Sequence, residues 1–261
     1  MRFLAAGVVL SLVVAGCGHP AQSAPSTGRS SQTPTGTVSR VIAAPVDPDP
    51  RVGAFFLSDN ELHACTGSVL HSPAGDLVLT AAHCLITGAL ARFAPGFARG
   101  AAPEDLWTVD ALYLDPRWLA TKDPRADYAI VRVSRPSGGS LEASVGSALS
   151  LGAAPPRGSQ VTVVAYPAGV GGLPVGCQVT TGVSDGGFPE LPCAGLVDGT
   201  SGAPWISGST VTGVIGGLHG GGCAENLSYS APFDAHTTAL LTRAQAGGPG
   251  DVSPSSFDDQ C

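Results

Sequence analysis

Apolar positions along this chain come in short runs separated by Gly, Pro, Ser and Asp, a spacing that predicts strands rather than helices. Val52–Leu57 reads as a strand, Asp59-Asn60 as a turn and His63–Leu70 as the returning strand. Ser72–Gly75 is a second turn, and Leu77–Thr80 is a short apolar strand that runs into Ala81-Ala82-His83-Cys84. Leu106–Leu114 and Tyr128–Val133 are further strands, with Asp127 just before the latter and in phase with Ala129, Val131 and Val133. Residues 134–159 are rich in Ser, Gly and Pro and read as a connector between two sub-domains. Val161–Tyr166 opens a second set of strands, its Val161, Val163 and Ala165 on one face, continued by Gln178–Thr181, Pro204–Ile206 and Val211–Ile215. One segment, Ala235–Ala246, carries a helical pattern, with Asp234 as its N-cap. Residues 247–261 read as unstructured apart from a terminal cysteine.

Composition narrows this to an all-β sandwich or barrel, because Gly (36) and Pro (22) punctuate the strands throughout. A net charge of −7 without any Lys/Arg cluster excludes a nucleic-acid partner, which would need a basic stripe. The N-terminus is Met1-Arg2 followed by an apolar run, Phe3–Ala15, too short to remain as a membrane span. It ends in Val14-Ala15-Gly16-Cys17, which resembles a bacterial lipobox; an ordinary cleaved signal peptide is the alternative. Residues 1–16 are thus expected as a lipoprotein signal peptide and Cys17 as the lipidation site, anchoring the protein to the outer face of the bacterial cell membrane. Residues 17–50 are expected as a disordered tether, followed by a folded domain over 51–246 and the tail 247–261. With Cys17 set aside, six cysteines remain, an even set that suits an oxidising compartment: Cys65, Cys84, Cys177, Cys193, Cys223 and Cys261.

Hydrolysis by a serine needs an alcohol beside a base, a buried acceptor that fixes the base, and N–H donors for the oxyanion. Leu79-Thr80-Ala81-Ala82-His83-Cys84 and Asp198-Gly199-Thr200-Ser201-Gly202-Ala203-Pro204 offer the base and the alcohol. Both segments, with Cys65-Thr66-Gly67-Ser68 upstream, resemble the trypsin/chymotrypsin family of serine peptidases over roughly residues 52–246. The resemblance implies two six-stranded antiparallel β-barrels with a C-terminal helix: barrel one over about 51–134, barrel two over about 159–233 and the helix over 234–246. It implies catalytic His83, Asp127 and Ser201, an oxyanion hole from the Gly199 and Ser201 N–H groups, and a Cys65–Cys84 disulfide. Asp123 is the runner-up to Asp127, since Pro124 also places it at a turn. The implied function is a serine endopeptidase at the cell envelope, a monomer acting on protein or peptide substrates with no cofactor and no metal.

The chain departs from the family in three places. Thr200 stands where vertebrate enzymes carry the aspartate that pairs with a new N-terminus, so Arg40-Val41-Ile42 is a false echo of an activation site. Gly216-Gly217-Leu218-His219 replaces the usual Ser-Trp-Gly strand, and His219 is as readily a loop residue as a pocket wall. Among the remaining cysteines the preferred pairing is Cys177–Cys193, across a hairpin, with Cys223–Cys261; the family's alternative joins Cys193 to Cys223. Beside a structural lipoprotein whose Gly-rich loops merely turn, three other readings compete. One is a catalytically inactive envelope binding lipoprotein of the same fold. Another is an esterase, although no Gly-x-Ser-x-Gly elbow is formed. The third is a zinc site on His63, Cys65, His83 and Cys84, for which adjacent His83-Cys84 is poor chelate spacing.

Overall fold

Paired short strands dominate the regular secondary structure of the described residues. The computed structural model describes residues 40–57, 59, 61–85, 91–254 and 256. Two short strands come first, β1 (Val41–Ile42) and β2 (Ala44–Pro45). Barrel one follows as β3 (Val52–Phe56), β4 (Leu62–Leu70), β5 (Leu77–Thr80), β6 (Arg92–Pro95), β7 (Trp107–Leu114) and β8 (Ala129–Ser134). Its ladders run β4-β3-β6-β7-β8-β5 and close through β5 back to β4, a complete antiparallel six-stranded barrel. Closure removes the exposed edges that an open sheet would leave.

The connector holds a five-residue helix, Leu141–Val145, and β9 (Ser150–Leu151). Barrel two contains β10 (Gln160–Ala165), β11 (Gly169–Val170), β12 (Val175–Thr180), β13 (Gly182–Val183), β14 (Pro189–Leu191) and β15 (Cys193–Ala194), then β16 (Pro204–Ser207), β17 (Thr210–Val214) and β18 (Ser228–Tyr229). These strands lie in separate ladders, β12-β10-β16-β17 and β13-β14-β18, with β1 on β15. The strand β11 leaves its own barrel and pairs with Leu62 and His63 at the rim of barrel one. The C-terminal helix covers Ala235–Ala246, and Asp234 caps it through the His236 N–H at 2.8 Å.

The strands alternate between two interiors. Along β8, Ala129, Val131 and Val133 enter the core of barrel one with Phe55, Phe93 and Trp107, whereas Ile130 enters the core between the barrels. Along β10, Val161, Val163 and Ala165 fill barrel two beside Trp205, and Val164 faces the shared core. Burial on both faces explains why these strands read as nearly continuous apolar runs.

Three boundaries move. The tether was expected to run to residue 50, but Val41 and Ile42 pair with Cys193 and Ala194, and Ala44 and Pro45 pair with Gly176 and Val175. The folded domain therefore begins near residue 40, held by backbone ladders that require no apolar period. The tail, read as unstructured, is docked as far as its described residues go. The strand β6 covers only Trp107 and Thr108 of β7, leaving the far end of that edge open. There Asp251 N–H donates to the Leu112 carbonyl at 2.7 Å, its Oδ2 accepts from the Leu114 N–H at 2.7 Å, and Arg243 pairs with it at 2.5 Å. Gly250 allows this approach, since a Cβ there would lie 2.8 Å from the Leu112 nitrogen. Finally, the strand read as Gln178–Thr181 starts three residues earlier, at Val175. Residues 1–39, and with them Cys17 and the signal segment, lie outside the described residues, as does Cys261.

Candidate active site

The site begins with the turn after β5. The residues Ala82–Leu85 form a single 3-10 turn, and a disulfide from Cys84 to Cys65 on β4 fastens it, with Cα atoms 6.2 Å apart. Both sulfurs are thereby spent, so neither cysteine is a thiolate donor for zinc. His63, the other ligand considered, is not in the cleft. It is 2% exposed, bonds the Gly171 carbonyl through Nε2 at 2.8 Å and is ringed by Phe56, Phe97 and Tyr166.

Asp127 ends a 3-10 turn, Pro124–Ala126, immediately before β8. Its carboxylate is fully buried and accepts three N–H groups: His83 N to Oδ1 at 3.0 Å, His83 Nδ1 to Oδ2 at 2.8 Å, and Gly217 N to Oδ2 at 2.7 Å. An ionised carboxylate only accepts, so the proton of this pair lies on His83 Nδ1, which makes Nε2 the basic nitrogen of the ring. Asp123 does different work: it caps the same turn through the Arg125 N–H at 2.9 Å. Tyr128, next in the chain after Asp127, donates to Asp115 Oδ2 at 2.7 Å, and Asp115, 1% exposed, pairs with Arg117 at 2.9 Å. Burial works against the Asp115 charge, but hydrogen bonds from Arg117 and Tyr128 outweigh it and hold its pKa down to about 2.

Ser201 enters from barrel two on a loop whose backbone is pinned at several points. The Thr66 N–H donates to the Ser201 carbonyl at 2.8 Å, and the Gly202 N–H donates to Ile215 O at 2.7 Å. Gly202 has φ +81°, and a Cβ there would lie 2.2 Å from Thr66 O, so only glycine fits. Gly199 has φ +88° and sits against the 167–168 backbone, 2.0 Å from the Ala168 nitrogen if it carried a Cβ. The Asp198 carbonyl is held by a 2.7 Å bond from the Ala168 N–H, and the Thr200 carbonyl by the Ala203 N–H at 3.0 Å. The N–H groups on the opposite sides of those two peptides belong to Gly199 and Ser201. Among the described residues, neither of them donates to a protein acceptor.

His83 and Ser201 line one cleft of about 790 Å³, together with Gly199, Leu196, Ile215 and His219. His219 is thus a wall residue, held at φ 53° in a tight turn over Leu218–Gly221. That turn replaces an extended strand and is reached through Gly217, at φ 83°. Thr200 is 2% exposed and satisfies its hydroxyl locally, donating to Val197 O at 2.7 Å. A second disulfide joins Cys177 on β12 to Cys193 on β15, with Cα atoms 6.7 Å apart. These strands share no ladder, so the bond does not span a hairpin, and the Cys193–Cys223 pairing is not formed. Cys223 is itself disulfide-bonded, and its proposed partner Cys261 lies outside the described residues.

Residues 65–217, more than half of the chain, match the family model of the trypsin-like peptidase domain. The chain belongs to the trypsin-like peptidase family. As a member it is a serine-type endopeptidase, a hydrolase. No curated protein sequence matches it. Solved structures share the trypsin-like fold at low identity. The protease Anisep from Arthrobacter nicotinovorans is 22% identical with a TM-score of 0.68, covering 79% of this chain and 100% of its own. The thermostable serine protease AL20 from an extremophilic microorganism is 22% identical with a TM-score of 0.64, covering 77% and 99%. A Glu endopeptidase is 16% identical with a TM-score of 0.62, covering 80% and 99%. Within this trypsin-like fold, sequence reasoning missed the Gly217 and Ala168 N–H groups, because a backbone donor leaves no side-chain signature; the Gly216-Gly217 pair was the available hint.

Proposed function

We propose that this endopeptidase cleaves peptide bonds through Ser201, His83 and Asp127, with Gly199 and Ser201 N–H groups as its oxyanion hole. The Ser201 Oγ attacks the scissile carbonyl carbon while its proton passes to His83 Nε2. The carbonyl electron pair moves onto oxygen and is held by the two N–H donors. Collapse expels the amine, which takes the proton from His83, and water then repeats the sequence on the acyl-enzyme. The observation that carries this reading is the fully buried Asp127 carboxylate on His83 Nδ1 at 2.8 Å, with His83 and Ser201 in one cleft. Labelling by a fluorophosphonate tests it. Wild-type protein reacts and Ser201→Ala does not; a folded wild type that stays unlabelled supports instead an inactive binding protein of this fold.

The same reading places the enzyme, as a monomer, on the outer face of the cell membrane through lipid at Cys17. Its support is the Val14-Ala15-Gly16-Cys17 segment after a short apolar run. Among the described residues no helix is long and apolar enough to cross a membrane. Expression with a labelled fatty acid tests the anchor: label appears on wild type and is lost in Cys17→Ser.

A further inference from the structure

Gly199 takes little of its orientation from its own backbone preference, since glycine adopts positive φ as readily as negative. Its orientation must come from outside the loop. Both peptides that meet at Gly199 lead to one buried side chain on barrel one. The peptide following it is gripped directly, with Thr66 Oγ1 donating to the Gly199 carbonyl at 3.0 Å. The peptide preceding it is gripped at one remove. Thr66 Oγ1 accepts the Tyr166 N–H at 2.9 Å, which fixes the base of the 166–168 segment, and Ala168 N–H then holds the Asp198 carbonyl at 2.7 Å. The Thr66 N–H holds the Ser201 carbonyl on the far side of the nucleophile, and the Thr66 carbonyl is itself anchored by Thr80 Oγ1 at 2.8 Å.

We propose that the Thr66 hydroxyl is a positioning residue for the oxyanion hole, setting the angle between the Gly199 and Ser201 N–H groups without touching substrate. Thr66 is fully buried, and its β-branched side chain on a strand has a restricted χ1, so the hydroxyl is pre-aimed. It also crosses between barrels: Thr66 lies on β4 of barrel one, whereas Gly199, Tyr166 and Ser201 belong to barrel two. Docking of the barrels therefore sets the hole.

This assignment rests on the proposed serine mechanism, and the test separates the two. Full-length wild type, Thr66→Val and Thr66→Ser are compared for the second-order rate of fluorophosphonate labelling and for kcat and KM on fluorescently labelled casein. Removing an oxyanion donor outright costs ~10²–10³-fold in kcat, so misaiming one is expected to cost T66V about 10–100-fold in labelling rate and kcat, with KM within about twofold. T66S keeps the hydroxyl and is expected within about threefold of wild type. Equal labelling of T66V and wild type overturns the assignment, as does a loss confined to KM or an equal loss in T66S. If T66V does not fold, by circular dichroism, T66A is read by the same criteria. Failure of wild type to label overturns the serine mechanism itself.

Discussion

The Gly217 N–H points at Asp127 Oδ2 across 2.7 Å, linking the two barrels at the carboxylate that holds His83. Gly217 reaches this bond at φ 83°, and a Cβ there would lie 2.6 Å from the Ala231 nitrogen. Gly217→Ala is expected to cost about 1–3 kcal/mol of stability through strain at that position. It is also expected to lower kcat about tenfold or more as the carboxylate loses a charge-assisted donor. Thermal unfolding together with casein hydrolysis measures both.

Asp127 and Asp123 differ by four positions, and the two give opposite expectations. Asp127→Asn keeps the shape but favours the wrong His83 tautomer, so kcat should fall about 10⁴-fold. Asp123→Asn retains a side-chain oxygen for the Arg125 N–H and should leave kcat within about twofold. Steady-state kinetics of the two variants side by side decides between them.

Thr200 completes its own turn by donating to Val197 O and has no carboxylate to pair with an incoming ammonium group. Val41 and Ile42 are meanwhile paired along β15 within a continuous chain. Uncut protein is therefore expected to label with a fluorophosphonate as fast as protein trimmed to Val41 or Ile42. A rise in rate on trimming would show that processing at this site activates the enzyme.

Asp115 gives stability a defined dependence on acid. Its folded pKa, about 2, lies below the ordinary carboxylate value of 3.8, so its contribution is complete above the unfolded value and disappears as pH falls through the folded one. Stability carried by Asp115 should thus decline between about pH 4 and pH 2. Asp115→Ala removes the cap on the Arg117 N–H and a buried partner of Tyr128, an expected loss of about 2–4 kcal/mol near neutral pH. Urea unfolding of both proteins across that pH range checks the slope and its disappearance.

The sequence displayed the site where side chains carry the chemistry. His83 and Ser201 stood in extended motifs, and Asp127 stood out through its phase with Ala129, Val131 and Val133, which all enter the core of barrel one. It concealed what backbone atoms do. The Gly217 and Ala168 N–H groups would be the same on almost any residue. Residues 40–45 and 248–251 dock by ladders and single hydrogen bonds, without a periodic apolar face. The strand β6 escaped notice for a related reason: Arg92 and Pro95 flank only two buried residues, Phe93 and Ala94. Gly216-Gly217 hid the turned segment because a glycine pair is compatible with both strand and turn.

The docked tail has a consequence for the order in which the molecule is made. The open edge of β7, in the barrel that emerges first from the ribosome, is filled by Asp251 from the segment that follows both barrels, and Ser253 donates its hydroxyl to Leu85 O in the turn that bears His83. A nascent chain that has finished both barrels still lacks these bonds. The support behind the histidine turn therefore forms only after both barrels have been made, so the hydrolytic machinery lacks it until the segment around Asp251 and Ser253 has followed them.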